Sequence, residues 1–257
     1  MDHVRISTGI TGLDALFDGG FIKGRSYLLT GESGTGKTVA CLQFLVRGLA
    51  RGEKALYVTV DERPAEILAA AAAFSWDLQP YIQEKSLAIL DAAGGSATDK
   101  GIDPQKIVAD LGHFAKSLGA TLLIIDPITP LLQPANPTTP AHVHARSLLQ
   151  LIQSQINTTT LFTSHDVRGR GSNSATRIEQ FLASGVLVLK TTELADRCER
   201  TIYIKKMRYT PVAPGDYPFA MVNNEGIVLI DRPSRKDLPR KTEPQFFQSF
   251  ELEKQDS

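Results

Sequence analysis

Eight consecutive residues, GESGTGKT at positions 31–38, have the composition of a loop that binds phosphate groups. The three glycines allow backbone dihedrals that other residues adopt rarely, so several N–H groups can point toward one anion. Lys37 places a positive charge near the terminal phosphates of a nucleotide, and Thr38 offers a hydroxyl to a magnesium ion. The predicted binding residues are Gly31, Glu32, Ser33, Gly34, Thr35, Gly36, Lys37 and Thr38.

The flanking sequence separates this motif from a chance glycine-rich turn. The apolar run SYLLT precedes it at 26–30, and a helical pattern of apolar residues follows it over 38–50. A phosphate loop requires a strand before it and a helix after it. The sequence therefore predicts that the chain binds ATP together with Mg²⁺.

Asp126 is the predicted magnesium-side carboxylate. It closes the run LLIID at 122–126, and four apolar residues followed by an acid are typical of a buried strand that ends at a magnesium site. The alternative is that Asp126 caps the next turn, where Pro127 and Pro130 prevent an immediate helix. The residues alone leave both interpretations open.

Hydrolysis requires a group that orients or deprotonates water, and Asp61 and Glu62 are the candidates. They follow the apolar run at 54–60, which we expect to lie beside the phosphate-loop strand because consecutive elements usually pack together. Glu62 is the predicted catalytic base, supported by Asp61. The alternative is that Glu62, Arg63 and Pro64 only begin the next helix.

Apolar β-rich runs alternate with helical patterns, which predicts an α/β fold of the RecA-like phosphate-loop type with a mostly parallel central sheet. We expect strands at 26–30, 54–60, 87–91, 122–126 and 159–164, each buried on both faces. We expect helices at 38–50, 65–74, 104–118 and 141–156.

The C-terminal part differs in pattern. Strand-like segments at 185–191, 200–207 and 219–230 follow one another without helices, and NNEG at 223–226 suits a hairpin turn, so the sheet should end in antiparallel strands. From residue 232 the chain is polar and contains three prolines. We predict an ATPase domain over 1–231 and a flexible tail over 232–257.

The composition limits the classes of function. Lys plus Arg and Asp plus Glu both number 28, so no net positive field draws the chain toward nucleic acid or an anionic membrane. The two cysteines, Cys41 and Cys198, have no partner spacing and are expected to be reduced and buried. The chain shows neither a leader sequence nor a long apolar run, which predicts a cytoplasmic protein.

These motifs, together with others along the chain, resemble the KaiC-like branch of the RecA superfamily of ATPases over roughly residues 4–231. The resemblance rests on the phosphate loop and on GITGLD at 9–14 with glycines at 19, 20 and 24, YVTVDERP at 57–64, KMRYT at 206–210 and DYPF at 216–219. In this family the Glu of the paired acids activates water, which implies that role for Glu62.

The resemblance also implies a ring, usually a hexamer, in which the KMRYT stretch reaches the nucleotide of the adjacent subunit. Lys206 and Arg208 would then act in catalysis and Thr210 in nucleotide binding. Strand alternation places Lys206 and Arg208 on one face of the strand. Positive side chains that contact a transferring phosphoryl group accelerate the reaction ~10³–10⁵-fold. The alternative is a basic edge strand that discourages aggregation.

Three departures limit the resemblance. The family's two-domain clock protein has a tandem repeat, whereas this chain has one copy, and RIEQ at 177–180 replaces the family's Ser-Thr autophosphorylation pair. Autokinase activity is therefore not expected. Ser164 and His165 replace a common Thr/Ser-Glu pair, and His165 is either a nucleotide sensor or a surface histidine.

Three functions remain open from the sequence. The leading one is an oligomeric ATPase that converts its nucleotide state into a change of shape or of partner, acting in regulation with an unidentified protein partner. A second is a DNA-recombination ATPase of the RecA/RadA kind, which the balanced charge does not favour. A third is a scaffold that binds nucleotide without hydrolysing it.

Overall fold

The computed structural model describes residues 3–92, 104–132, 134, 140–165, 182–194, 197–213 and 215–230. The predicted tail at 232–257 and the segment 177–180 lie outside the described residues. Among the described residues, no helix combines the length and the hydropathy that a membrane span requires.

A nine-stranded sheet forms the centre of the fold and confirms the predicted class. The strands are β3 (Ser26–Gly31), β4 (Ala55–Thr59), β5 (Leu87–Asp91), β6 (Leu122–Asp126), β7 (Thr159–His165), β8 (Gly185–Leu194), β9 (Arg197–Met207), β10 (Asp216–Val222) and β11 (Gly226–Leu229). The parallel strands come in the order β8, β3, β7, β6, β4, β5, and β9, β10 and β11 extend the β8 side antiparallel.

Helices cover both faces of this sheet, which explains why its central strands are apolar on both sides. One core contains side chains of α2 and α3 with alternate strand residues such as Tyr27 and Leu29, and the other contains α5 and α6 with Leu28. The helices are α1 (Leu13–Leu16), α2 (Lys37–Leu49), α3 (Pro64–Ala72), α4 (Gln79–Gln83), α5 (Pro104–Leu118) and α6 (Ala141–Gln155), with a 3₁₀ turn at Thr129–Leu132.

The position of β4 differs from the prediction. We expected the strand that precedes Asp61 and Glu62 to neighbour β3, but β7 and β6 lie between them. Adjacency in the chain fails here because the crossovers after β5 and β6 return the chain to the gap between β4 and β3. The carboxyl ends of β3, β7, β6 and β4 nevertheless meet at one edge of the sheet.

Two burial predictions were wrong. Strand β5 forms the edge of the sheet, so its residues after Leu87 are only partly covered. Cys41 is buried but Cys198 is exposed. Strand β3 ends opposite Leu189 of β8, whereas the antiparallel pair β8 and β9 continues well past that point, and Cys198 lies in this extension.

A small N-terminal sheet was not predicted. Strands β1 (Arg5–Ile6) and β2 (Phe21–Ile22) pair antiparallel. Between them Asp14 accepts hydrogen bonds from the Ser7 hydroxyl and from the backbone and side chain of Thr8. This network fixes the shape of the lead-in segment before the chain enters β3.

Candidate active site

The loop at residues 31–36 joins β3 to α2 and has the geometry that the glycines predict. Gly36, at φ 103°, is the N-cap of α2, which begins at Lys37. A Cβ at Gly31 would lie 2.4 Å from the carbonyl oxygen of Leu189 on β8, so a side chain cannot fit there. The N-terminus of a 13-residue helix therefore opens directly onto the loop, which is the arrangement that binds anions.

Lys37 extends along the inside of this loop. Its Nζ donates hydrogen bonds to the carbonyl oxygens of Gly31 at 2.9 Å and Glu32 at 2.8 Å. Thr35, which is buried, also donates to the Glu32 carbonyl through its hydroxyl. Burial lowers the pKa of Lys37, and the nearby charge of Asp126 opposes that shift.

A cavity of about 340 Å³ lies in front of the loop and brings together most of the predicted site. The predicted residues that line it are Ser33, Gly34, Gly36, Lys37, Thr38, Asp61, Glu62 and Asp126. Gly31, Glu32 and Thr35 shape the loop behind this lining. Val39, Pro127 and Met221 also line the cavity and were not assigned from the sequence. His165, which the sequence left open as a nucleotide sensor or a surface histidine, lines it too.

Asp126 is held by two hydroxyls on neighbouring strands. One carboxylate oxygen accepts a hydrogen bond from Tyr57 on β4 at 2.7 Å, and the other accepts one from Thr163 on β7. The side chain is 7% exposed. Because its partners belong to adjacent strands and not to the following turn, this geometry favours the metal-binding interpretation over the capping one.

Asp61 and Glu62 lie in the turn after β4, with the Glu62 carbonyl fixed by the Thr59 hydroxyl at 2.6 Å. Burial, followed by the charges of Asp126, Glu66 and Asp61, raises the pKa of Glu62. A raised pKa suits a group that accepts a proton near neutral pH. At the start of α3 it is the Glu66 carboxylate that accepts the backbone N–H of Arg63, so Glu62 is not needed as a cap.

Lys206, Arg208 and Thr210 lie far from this cavity. Met207, at the end of β9, pairs with Gly185 of β8, and Gly185 pairs with Tyr27 of β3. The phosphate loop begins at Gly31, four residues further along β3 than Tyr27. At ~3.3 Å per residue this separation is about 13 Å along the strands, before the sideways distance across β8 is added. The structure does not bring these three residues to the chain's own phosphate loop.

Their local contacts are nonetheless defined. The Nζ of Lys206 donates to the Ala183 carbonyl at 2.7 Å, and burial together with the charge of Arg208 lowers its pKa to about 8. Arg5 donates to the buried Thr210 hydroxyl at 3.1 Å. Both Arg208 and the adjacent Tyr209 are exposed.

Sequence reasoning missed three members of the site, Tyr57, Thr163 and Met221, and left the role of His165 open. Tyr57 and Thr163 read as ordinary strand residues, and only the strand order β7-β6-β4 reveals that both face Asp126. Met221, on β10, reaches the cavity from the C-terminal hairpin. The position of His165 at the end of an apolar run was visible in the sequence, but not which groups it would face.

The cavity fits a magnesium–nucleotide complex. Thr38 and Asp126, the predicted magnesium-side residues, line it with one hydroxyl and one carboxylate. Among the described residues, no cluster of three or more His, Cys, Asp or Glu side chains suited to a metal is present. Mg²⁺ does not require such a cluster, since it usually keeps several waters and binds one or two protein groups plus substrate phosphates.

Comparison with known proteins gives a consistent result. A protein-family model with the description "ATPase: KaiC" matches residues 6–234 of the chain. The chain is 34% identical to the circadian clock oscillator protein KaiC of Parathermosynechococcus lividus over 226 residues, which are 86% of this chain and 41% of that protein. It is 32% identical to the KaiC of Prochlorococcus marinus subsp. pastoris over 89% of this chain and 45% of that protein.

The chain therefore spans less than half the length of these curated relatives. Among solved structures, a KaiC-like protein of Pyrococcus horikoshii OT3 superposes with a TM-score of 0.76 at 30% identity, covering 90% of this chain and all of that one. The range matched by the family model, residues 6–234, includes the strands that carry the cavity.

Proposed function

Because the chain belongs to the KaiC family of ATPases, we propose that it binds ATP with Mg²⁺ in the cavity in front of residues 31–38 and hydrolyses it. The observation that carries the proposal is that Lys37, Thr38, Glu62 and Asp126 line one cavity at the N-terminus of α2. These residues are the cation, the hydroxyl and the two carboxylates that phosphoryl transfer to water requires.

Each of these residues has a definite task in the proposal. Backbone N–H groups before α2 bind the phosphates, and Lys37 neutralises charge on the terminal ones. Thr38 and Asp126 would hold Mg²⁺, which would supply positive charge that stabilises the phosphates. Glu62 orients the attacking water and accepts its proton, and its raised pKa makes that acceptance more favourable.

The proposal includes assembly into a homo-oligomer, a hexameric ring. Lys206, Arg208 and Thr210 would then contact the nucleotide of the adjacent subunit. Their position near the amino end of β3, remote from their own loop, supports a role across a subunit boundary. Positively charged side chains beside the transferring phosphoryl group strongly accelerate ATP hydrolysis, so a monomer, which lacks those of an adjacent subunit, would be a slow ATPase.

We further propose a regulatory or signal-transducing role in the cytoplasm, with hydrolysis changing the shape presented to a protein partner, and no Ser/Thr autokinase activity. The absence of a hydroxyl from RIEQ at 177–180 supports the last point. The ATPase domain would comprise residues 1–231, and 232–257 would be a tail.

Mixing two inactive variants tests the shared site. Glu62→Gln removes the base, and Arg208→Ala removes the guanidinium that would reach the nucleotide of the adjacent subunit, so each variant should hydrolyse ATP poorly alone. In a random mixture about one quarter of the interfaces pair an intact Glu62 with an intact Arg208, and about one quarter of wild-type activity should return. The exposed Arg51→Ala, away from both groups, is the matched control and should stay active alone.

The result separates the hypotheses. A mixture as inactive as its components would contradict action across subunits. A wild-type chain that binds ATP without turnover, and whose behaviour Glu62→Gln leaves unchanged, would show a nucleotide-binding scaffold instead of an enzyme. Salt-dependent binding of single-stranded DNA would favour the RecA/RadA alternative.

A further inference from the structure

Gln43 is a buried polar residue of the phosphate-loop helix to which the proposed reaction assigns no task. It lies on α2, about two helical turns beyond the N-cap residue Gly36 and so on the same face of the helix. Its side chain is 0% exposed. A buried amide costs free energy unless its polar atoms are hydrogen-bonded, so its partners show which parts of the fold it holds together.

The amide of Gln43 binds the backbone of two distant segments. Its Oε1 accepts the N–H of Ile227 at 2.7 Å, and its Nε2 donates to the Ile227 carbonyl at 3.0 Å. The same Nε2 donates to the carbonyl of Gly9 in the lead-in segment at 2.8 Å. Strand β11 is the last strand of the sheet on its side. Because a neighbouring strand would bind both backbone groups of Ile227, the Gln43 amide takes the place of a strand at this edge.

The hairpin of β10 and β11 that Gln43 holds forms part of the cavity wall. Ile227 pairs in register with Met221 of β10, and Met221 lines the cavity. Both side chains approach the N-cap of α2, since a Cβ at Gly36 would lie 2.2 Å from Cε of Met221 and 3.9 Å from Cδ1 of Ile227. The position of Met221 beside the phosphate loop therefore depends on how β11 lies along α2.

The turn of this hairpin is held from two sides. A Cβ at Gly226 would lie 2.5 Å from Oε1 of Gln43 and 2.8 Å from the ring of Trp76, so the backbone there packs directly against both side chains. Trp76, which follows α3, also donates its Nε1–H to the Asn224 carbonyl at 3.1 Å. Trp76 holds the tip of the turn, whereas Gln43 holds the strand that pairs with Met221.

We infer that Gln43 is a positioning residue for nucleotide binding: it fixes the β10–β11 hairpin against α2 so that Met221 closes the cavity wall beside the phosphate loop. Gln43 itself touches no ligand and acts through Met221. Without its amide, β11 loses two hydrogen bonds to α2 and Met221 no longer covers the cavity. The carboxylates of Glu62 and Asp126 lie on other elements, so affinity for nucleotide should fall while turnover of bound nucleotide continues. This inference rests on the proposed function.

The test measures the dissociation constant of a non-hydrolysable ATP analogue with Mg²⁺ and, separately, kcat at saturating ATP. Gln43→Met keeps the length of the side chain and removes all its hydrogen bonds. Gln43→Asn keeps the amide on a shorter side chain and replaces Gln43→Met if that variant does not fold. The controls are Gln150→Met, the same change at an exposed position of α6, and Ile152→Ala, which removes a buried side chain from the core on the other face of the sheet.

We expect Gln43→Met to weaken binding of the analogue about tenfold, which is within the range that residues outside a site produce through residues inside it. Its kcat at saturating ATP should stay close to that of the wild type, since a loss confined to ground-state binding does not alter turnover of the bound nucleotide. Ile152→Ala should lower the melting temperature and keep the wild-type affinity. Gln150→Met should match the wild type in both respects.

Two further measurements identify the route of the effect. The double variant Gln43→Met with Met221→Ala should bind the analogue no more weakly than Met221→Ala alone, because coupled residues do not contribute independently. In the wild type, the bound analogue should slow amide hydrogen exchange over residues 219–230, since it contacts a wall that this hairpin forms.

The opposite results overturn the inference. Losses of affinity that multiply in the double variant would mean that Gln43 acts independently of Met221. A Gln43 variant with reduced kcat and unchanged affinity would show general destabilisation and no positioning role. Hydrogen exchange over 219–230 that the analogue leaves unchanged in the wild type would contradict the inference without any variant. If the wild type bound no nucleotide, the proposed function itself would fail, which is a different outcome.

Discussion

The hydroxyl of Tyr57 donates a hydrogen bond of 2.7 Å to the carboxylate of Asp126, joining β4 to β6 at the floor of the phosphate cavity. Both side chains are buried, and Tyr57 is fully so. Asp126 is therefore fixed in direction before any ligand arrives. Burial and the charge of Asp126 raise the pKa of Tyr57 well above its usual value, so the hydroxyl remains a donor at every physiological pH.

Tyr57→Phe should weaken the response to magnesium. The change removes one donor from a buried carboxylate, which costs about 1.5–3 kcal/mol of unfolding free energy for a bond to a charged group. It also frees Asp126 to turn, so the Mg²⁺ concentration that gives half-maximal ATPase activity should rise several-fold. Denaturant unfolding and a Mg²⁺ titration of activity measure the two effects.

Tyr27→Phe is the matched control for that variant. Tyr27 is equally buried but lies near the amino end of β3, away from the phosphate loop, where its hydroxyl accepts the N–H of Ile22 at 2.7 Å. It should lose stability and keep the wild-type magnesium dependence. If both phenylalanine variants shifted the magnesium dependence alike, the bond to Asp126 would have no specific role.

Gly36→Ala should damage the phosphate loop. At φ 103° an L-residue is strained by roughly 1–2 kcal/mol, and the new Cβ would lie 2.2 Å from the end of Met221. Relief of that contact moves either the loop or a residue that lines the cavity. We therefore expect ATP affinity to fall about tenfold or more, as a loss of ~1.4 kcal/mol or more implies.

Gly52→Ala provides the comparison because its φ of 81° strains an alanine while no neighbour lies within 4 Å of the added Cβ. It should lose about the same stability from backbone strain and bind ATP normally. Calorimetric titration of both variants distinguishes loop geometry from general destabilisation. Normal affinity in Gly36→Ala would contradict this account of the loop.

Glu62→Gln should remove hydrolysis and stabilise the fold. The pKa of Glu62 is raised by burial first and by neighbouring acids second, so its ionised form opposes folding. That opposition is absent below the ordinary pKa of 4.5 and complete above the raised value. The melting temperature of Glu62→Gln should therefore exceed that of the wild type at pH 7, and the difference should shrink as pH falls toward 4.5.

Glu62 is only partly buried, which keeps this gain small because solvent screens the repulsion. Glu84→Gln, an exposed change at the end of α4, is the control and should leave the melting temperature unchanged at both pH values. A Glu62→Gln variant that is less stable than the wild type at pH 7 would mean that the carboxylate contributes to the fold.

The local elements of the site were predictable from the sequence, whereas their arrangement in space was not. The loop at 31–36 and the strand ending at Asp126 follow from glycine positions and from apolar runs buried on both faces. The partners Tyr57 and Thr163 do not, because no local pattern specifies that β4 and β7 flank β6. Strand order is a non-local property set by the crossovers.

The second source of error was the position of a strand at the edge of the sheet, where it is less buried than predicted. Leu87–Asp91 has the apolar composition of a central strand yet lies at the rim of the sheet, since a short apolar run does not reveal how many neighbours it will have. Short elements such as α1 and the 3₁₀ turn after Asp126 have too few residues to show periodicity. The antiparallel hairpin of β10 and β11 was predictable because NNEG at 223–226 has the composition of a turn. In the structure Asn224 adopts φ 64° in that turn.

The most direct test of the central claim is the affinity for ATP, with and without Mg²⁺, of the wild type and of Lys37→Ala. The account predicts tight magnesium-dependent binding by the wild type and a loss of at least tenfold in the variant, since one charge beside the phosphates is removed. Lys23→Ala, which breaks only an exposed ion pair with Glu53, should bind like the wild type. Equal affinity in all three proteins, or no magnesium-dependent binding by the wild type, would contradict the proposed site.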